Sequence, residues 1–192
     1  MKSVILCGGL GTRLSEETDY IPKPMVKIGK KPIVHYIMEI YRKFDVKDFY
    51  LSSGYKASKI KEYYLNLNID TNKDISIDFK KKKNNFSYKK NVIDWRVNII
   101  DTGLKTQTGA RIKKLYKYLK KEENFFMTYG DGLANVNIKK LLKEHKKNNR
   151  IATMTIVRPI PRFGNIELSP NNNEVLKFKE KNQLSEGWIN GG

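Results

Sequence analysis

Ser3-Val4-Ile5-Leu6-Cys7-Gly8-Gly9-Leu10-Gly11-Thr12-Arg13-Leu14 begins as a short apolar run and breaks on three glycines within four positions. An apolar run this short and this sharply ended reads as a strand buried on both faces, the kind found in a parallel sheet with helices on either side. The glycines let the backbone come close to a ligand and turn amide hydrogens toward an anion. Their spacing fits neither GxGxxG nor GxxxxGK[ST], so the segment is a phosphate-cradle candidate or simply a tight strand-to-helix turn.

Outward from this strand, β-branched runs alternate with helical periods, the pattern of an α/β fold. Helix is expected from about Ile33 to Lys43, with Ile33, Ile37, Ile40 and Tyr41 at helical spacing. Further helices are expected over Lys56–Leu65, Gly109–Lys120 and Val136–Lys146, the last with Ile138, Leu141 and Leu142 inward. Strands are expected at Phe49–Ser52, Val97–Ile100, Phe125–Tyr129, Ile151–Val157 and Val175–Lys179, with a half-exposed one around Ile75, Ile77 and Phe79. No repeat and no linker interrupts residues 1–192, so one continuous domain is the economical expectation. Trp188-Ile189-Asn190-Gly191-Gly192 starts what reads as another strand and stops, which suggests a chain truncated at its C-terminus.

The 192 residues carry a formal charge of +18 with 31 Lys and only 7 Arg. A nucleic-acid reader would use Arg for bidentate base contacts, so an AT-rich codon bias is the simpler source of the charge, and no nucleic-acid partner is expected. The densest run, Lys80 to Lys83 followed by Lys89-Lys90, reads as a solvated hairpin or a subunit-contact loop. No apolar stretch approaches the roughly 18 residues that cross a bilayer, so no membrane partner is expected. Cys7 is the only cysteine, which excludes an internal disulfide and a zinc-finger cluster and points to a reducing cytoplasm. His35, His145, Tyr36, Tyr41 and Tyr64 lie in helical stretches and are read as structural.

Chemistry concentrates elsewhere. Arg13 follows the glycines by two residues, and Lys23 stands between Pro22 and Pro24, which restrict the backbone and present its ammonium from a stiff segment. Asp131, between Gly130 and Gly132, follows an expected strand at the sheet's carboxyl edge, where open α/β folds bind ligands; it is a metal candidate or an aspartate in a tight turn. Arg111 is either a ligand contact or a plain helix-surface arginine, and Glu180-Lys181 could be an ordinary charged strand end.

Gly8 to Leu14, followed by Ser15-Glu16-Glu17-Thr18 and by Pro22-Lys23-Pro24-Met25-Val26 with Ile28-Gly29, resembles the sugar-phosphate nucleotidyltransferases, and among them the cytidylyltransferases of glucose 1-phosphate. The resemblance continues through Gly54-Tyr55-Lys56, Asp101-Thr102-Gly103, Thr108-Gly109 with Arg111, Thr128 to Gly132, Arg162-Phe163-Gly164, Glu180-Lys181 and Ile189 to Gly192. It implies a Rossmann-like mixed, mostly parallel sheet flanked by helices, of the nucleotide-diphospho-sugar transferase type. It implies CTP and glucose 1-phosphate as substrates, Mg²⁺ as cofactor, homo-oligomers, and a place in deoxysugar or surface polysaccharide synthesis.

The resemblance also implies roles. Arg13 neutralises the departing phosphates and Lys23 the α-phosphate, as the catalytic pair. Leu6, Cys7, Gly8, Gly9, Gly11 and Thr12 line the nucleotide, joined by Gly109 and Arg111. Gly164, Glu180, Lys181, Asn190 and Gly191 grip the sugar phosphate, and Asp131 holds the metal, with the family's second aspartate beyond residue 192. Three positions depart from the cytidylyltransferase pattern: Lys27 replaces glutamate, Ala110 replaces glycine and Asn182 replaces proline. Ala110 bears on the room beside the base and leaves the reaction class untouched.

Overall fold

A computed structural model describes residues 1–10, 20–69, 73, 76–78, 83–85, 93–158, 165–170, 174–179 and 187–191. It divides into two compact units, Met1–Leu133 and Ala134–Gly192.

The first unit runs β1 (Lys2–Cys7), a 3-10 turn at Lys23–Met25, β2 (Lys27–Ile28), β3 (Lys31–Pro32), α1 (Ile33–Arg42), β4 (Asp48–Ser53) and α2 (Ala57–Asn68). It continues through β5 (Ser76–Asp78), β6 (Lys83–Asn85), β7 (Arg96–Asp101), α3 (Thr108–Lys114), α4 (Tyr116–Leu119) and β8 (Phe126–Tyr129). Four strands form one sheet in the order β7-β4-β1-β8, and every pairing is parallel. In-register rows such as Ile99, Leu51, Ile5 and Thr128 cross it. The expected mostly parallel sheet is therefore present, with antiparallel pairing confined to two-stranded ribbons.

Side-chain alternation explains why the sheet needs cover on both faces. Val4 and Tyr50 point to one face, where they meet Leu115 and Leu119, with Leu6, Ile100 and Tyr118 packed around them. Ile5, Phe49 and Leu51 are fully buried on the other. On that face Tyr41 of α1 meets Phe126 edge-on at 5.7 Å, and Phe49 meets Trp95 at 5.8 Å. Each such side chain, fully buried, contributes about 1.5–3 kcal/mol.

Local structure follows the chain's expected pattern with instructive differences. Helix α1 buries Val34, Ile37, Met38 and Tyr41, an i, i+3, i+4, i+7 stripe, so Ile37 and Tyr41 of the expected face turn inward while Ile33 and Ile40 are half-buried. Lys56 has φ 46° and precedes α2 as its cap instead of opening it. The helix expected over Gly109–Lys120 is broken at Leu115, whose N–H bonds the Ile112 carbonyl three residues back. Of the lysine-rich segment only Lys83–Asn85 is described, paired antiparallel with Ser76–Asp78, and the reading of Lys80–Lys82, Lys89 and Lys90 lies outside the described residues.

The second unit holds α5 (Ile138–Asn148), β9 (Ile156–Val157), β10 (Asn165–Leu168), β11 (Val175–Lys179) and β12 (Ile189–Asn190). The Asn137 side chain accepts the Lys140 N–H at 2.9 Å and caps the start of α5. At its other end Asn149 takes the left-handed conformation. Among the described residues, Ile156–Val157 is the part of the expected Ile151–Val157 strand that pairs, antiparallel to β12. Strand β10, which the sequence reading did not name, pairs antiparallel with β11.

Candidate active site

The strand order places the site before any side chain is considered. The chain steps from β1 to β4 to β7 in one direction, and β8 is then laid on the opposite side of β1, so the order reverses between β1 and β8. The crevice outside the carboxyl ends of strands at such a switch point is where open α/β sheets take ligands. Here those ends are Cys7-Gly8-Gly9 and Gly130-Asp131.

Lys23 and Asp131, 108 positions apart in sequence, meet there with Nζ and Oδ2 2.6 Å apart. Two features bring them together. Pro22 initiates the 3-10 turn, and Met25 N–H donates to the Pro22 carbonyl at 2.7 Å, so the lysine stands on a closed turn whose Pro24 and Met25 are buried. Gly130 N–H donates to the Leu6 carbonyl at 3.0 Å, and a Cβ on Gly130 would lie 2.9 Å from both Cys7 Sγ and Pro24 Cγ. Only glycine allows the end of β8 to approach both β1 and the lysine's turn.

Arg111 stands on the other side of the Gly8 turn. The residue is 5% exposed, and its guanidinium donates from Nη2 to the carbonyls of Gly8 (2.8 Å) and Leu104 (3.2 Å). From Nη1 it donates to Thr102 Oγ1 (2.6 Å) and to the Ser53 carbonyl (3.2 Å). The helix-surface alternative for this arginine is therefore set aside. Burial lowers its pKa, opposed by Asp101, and the charge is supported by backbone oxygens at the ends of β1, β4 and β7. Thr102, itself fully buried, also donates to the Ser53 carbonyl at 2.7 Å and lies 3.1 Å from Ser52 Oγ. Lys114 Nζ donates to the Thr102 carbonyl at 2.8 Å.

Of the residues proposed from sequence, Leu6, Cys7, Gly8, Gly9, Lys23, Arg111 and Asp131 are gathered at this carboxyl edge. Gly109 lies exposed on α3 with open space around it. Gly11, Thr12 and Arg13 lie outside the described residues, as do Gly164, Glu180 and Lys181. Asn190 and Gly191 belong to the second unit, where Asn190 pairs with Ile156 and Gly191 N–H donates to the Thr155 carbonyl at 3.0 Å. Gly54 and Thr102 had been assigned no role, although each directly follows a strand; that placement was the available signal.

Burial, and secondarily the Asp131 charge, push the Cys7 thiol well above its ordinary value, so it is a packing residue and not a nucleophile. Asp131 offers a carboxylate one-third exposed at the crevice. Among the described residues no three His, Cys, Asp or Glu side chains converge on a metal position. A single carboxylate suits a hard divalent cation that takes its remaining ligands from phosphates and water, so Asp131 fits one. An ammonium and a glycine-rich turn at one sheet edge can bind a polyphosphate, in which the carboxylate can share only through a divalent cation.

The family model described as Nucleotidyl transferase matches residues 2–192. The chain is 42% identical over 193 residues to a glucose-1-phosphate cytidylyltransferase of Salmonella typhi, covering all of this chain and 73% of that protein. It is 32% identical over 194 residues to a D-glycero-alpha-D-manno-heptose 1-phosphate guanylyltransferase of Aneurinibacillus thermoaerophilus, again covering all of this chain and 73% of that one. Among solved structures, HddC from Yersinia pseudotuberculosis complexed with GMP-PN is similar with a TM-score of 0.61 and 26% identity, over 99% of this chain and 73% of that one.

Proposed function

The chain belongs to the nucleotidyl transferase family, and we propose that it transfers a cytidylyl group from CTP to glucose 1-phosphate, forming CDP-glucose and pyrophosphate. The greater similarity to the cytidylyltransferase than to the guanylyltransferase supports the choice of base and sugar. The observation that carries the site assignment is the convergence of Lys23 and Asp131 at the β1/β8 switch point. We read residues 1–192 as one nucleotidyltransferase domain, because the family match runs across both compact units.

The chemistry asks little covalent work of the protein. The second pKa of a phosphate monoester is about 6, so the sugar phosphate oxygen is already anionic near neutral pH and attacks the α-phosphorus without a general base. The bond to the β-phosphate oxygen breaks and pyrophosphate leaves. Lys23 faces the charge that builds on the α-phosphate, and Arg13 is assigned to the leaving phosphates. Gly8, Gly9 and Gly11 bring main-chain amides to the nucleotide, with Leu6, Cys7, Thr12, Gly109 and Arg111 around it. Gly164, Glu180, Lys181, Asn190 and Gly191 are assigned to the sugar phosphate. Asp131 would hold Mg²⁺, which supplies charge neutralisation across phosphate oxygens. The proposal includes a homo-oligomer in the cytoplasm, serving deoxysugar or surface polysaccharide synthesis.

Pyrophosphate release with Mg²⁺ and glucose 1-phosphate tests it, with CTP, UTP, dTTP, GTP and ATP offered separately. Release fastest with CTP is expected. Preference for GTP would favour the second reading, a nucleotidyltransferase of another base and sugar, which rests on the 32% identity to a guanylyltransferase. Binding of CTP without turnover would reduce the chain to a nucleotide-binding module.

A further inference from the structure

The Arg111 guanidinium has five N–H groups, and four of them are taken up by protein oxygens at the ends of three strands. One of those oxygens is the Gly8 carbonyl, which also accepts the Tyr55 N–H at 3.4 Å. The two glycines nearest the guanidinium have no room for a side chain. A Cβ on Gly8 would lie 2.0 Å from Arg111 Nη1 and 2.4 Å from Cζ, and a Cβ on Gly54 would lie 2.7 Å from Nη1. At Gly8 the three nearest atoms all belong to Arg111, so a side chain there is excluded by the guanidinium that rests on it.

A trans peptide is planar, with its carbonyl and its amide hydrogen pointing in opposite directions. Tying the Gly8 carbonyl to Arg111 therefore turns the Gly9 N–H away from Arg111, and Gly9 is exposed while Gly8 is buried. We infer that Arg111 is a positioning residue that orients the Gly8–Gly9 peptide and so aims the Gly9 N–H at a nucleotide phosphate. The inference rests on the nucleotide reading of this site and assigns Arg111 a part that does not depend on the base.

Arg111→Lys keeps the charge but replaces a fork that spans four acceptors with a single point donor. Gly8→Ala is the second variant, since its methyl must displace the guanidinium. Two readouts are combined: the amide chemical shift of Gly9 in ligand-free protein, which follows the orientation of the Gly8–Gly9 peptide, and binding of inorganic tripolyphosphate, which has no base. Both variants are expected to shift the Gly9 amide resonance and to weaken tripolyphosphate about tenfold, with equal losses of kcat/KM for CTP and UTP. In the double variant the two effects should not add, because each removes the same contact. An unshifted Gly9 amide resonance in Arg111→Lys, or additive losses, would overturn the inference. So would a loss confined to CTP with tripolyphosphate binding intact, which would make Arg111 a base contact. Wild-type protein that binds neither tripolyphosphate nor CTP would instead overturn the nucleotide reading.

Discussion

Lys23 and Asp131 are each about one-third exposed, and an ion pair that wet adds only about 0–1 kcal/mol to stability. The role proposed for the pair can therefore be separated from its part in folding. Lys23→Met and Asp131→Asn are expected to leave the unfolding midpoint almost unchanged while lowering kcat by about 10²–10³, with KM for CTP moving less in the lysine variant. A large loss of stability without loss of turnover would return the pair to an ordinary surface contact. His35 is the reverse case. It is 3% exposed, shares a hydrogen bond of 3.2 Å between Nδ1 and Tyr63 Oη, and lies edge-on to Trp95 at 5.0 Å. Desolvation pushes its pKa below the ordinary 6.5, against Glu39, which raises it, and with Lys31, which lowers it. The unfolded chain thus takes up the proton first, and stability should decline as pH falls from about 6.5 until the folded pKa is reached. Urea midpoints between pH 8 and 5 should show this slope in the wild type, and His35→Gln should flatten it.

Between the elements, Gly130 does for the end of β8 what Pro22 and Pro24 do for the lysine's turn. A methyl at Gly130 would meet the Leu6 carbonyl at 3.0 Å as well as Cys7 Sγ and Pro24 Cγ at 2.9 Å, so backbone or a rigid ring must move. Gly130→Ala is expected to cost about 1–3 kcal/mol, and also to lower kcat because the Lys23 turn is pushed from Asp131. Denaturant unfolding beside steady-state kinetics would check both parts. At the amino edge, Asp94 receives Lys47 Nζ at 2.9 Å and the Arg42 guanidinium, which pins the entry to β7 after the Lys-rich segment. Both cations hold the Asp94 carboxyl at about 2. Element existence was readable from period and branching in the long apolar segments β1, α1 and β4. The break at Leu115 was not, because Leu115 sits in the right helical phase and turns inward for the sheet face it shares with Val4 and Tyr50. Asn165-Ile166-Glu167-Leu168 was also missed, since four alternating residues carry a weak signal until β11 pairs with them.

For the molecule as a whole, a ligand that binds only the folded chain must stabilise it by mass action. CTP with Mg²⁺ at a hundred times its dissociation constant should add about 2.7 kcal/mol, seen as a raised melting temperature, and glucose 1-phosphate alone should add less. No shift with any nucleotide would contradict the proposed function at the level of binding. The α/β class, the buried first strand, the glycine turn and the identities of Lys23 and Asp131 could be read from the chain, because period, backbone freedom and charge are properties of neighbours in sequence. The reversal of strand order at β1, the meeting of Lys23 with Asp131, and the burial of Arg111 against Gly8 and Gly54 could not. Each is a contact between segments 46 to 123 residues apart, and it exists only once a parallel sheet has brought its strand ends to a common edge.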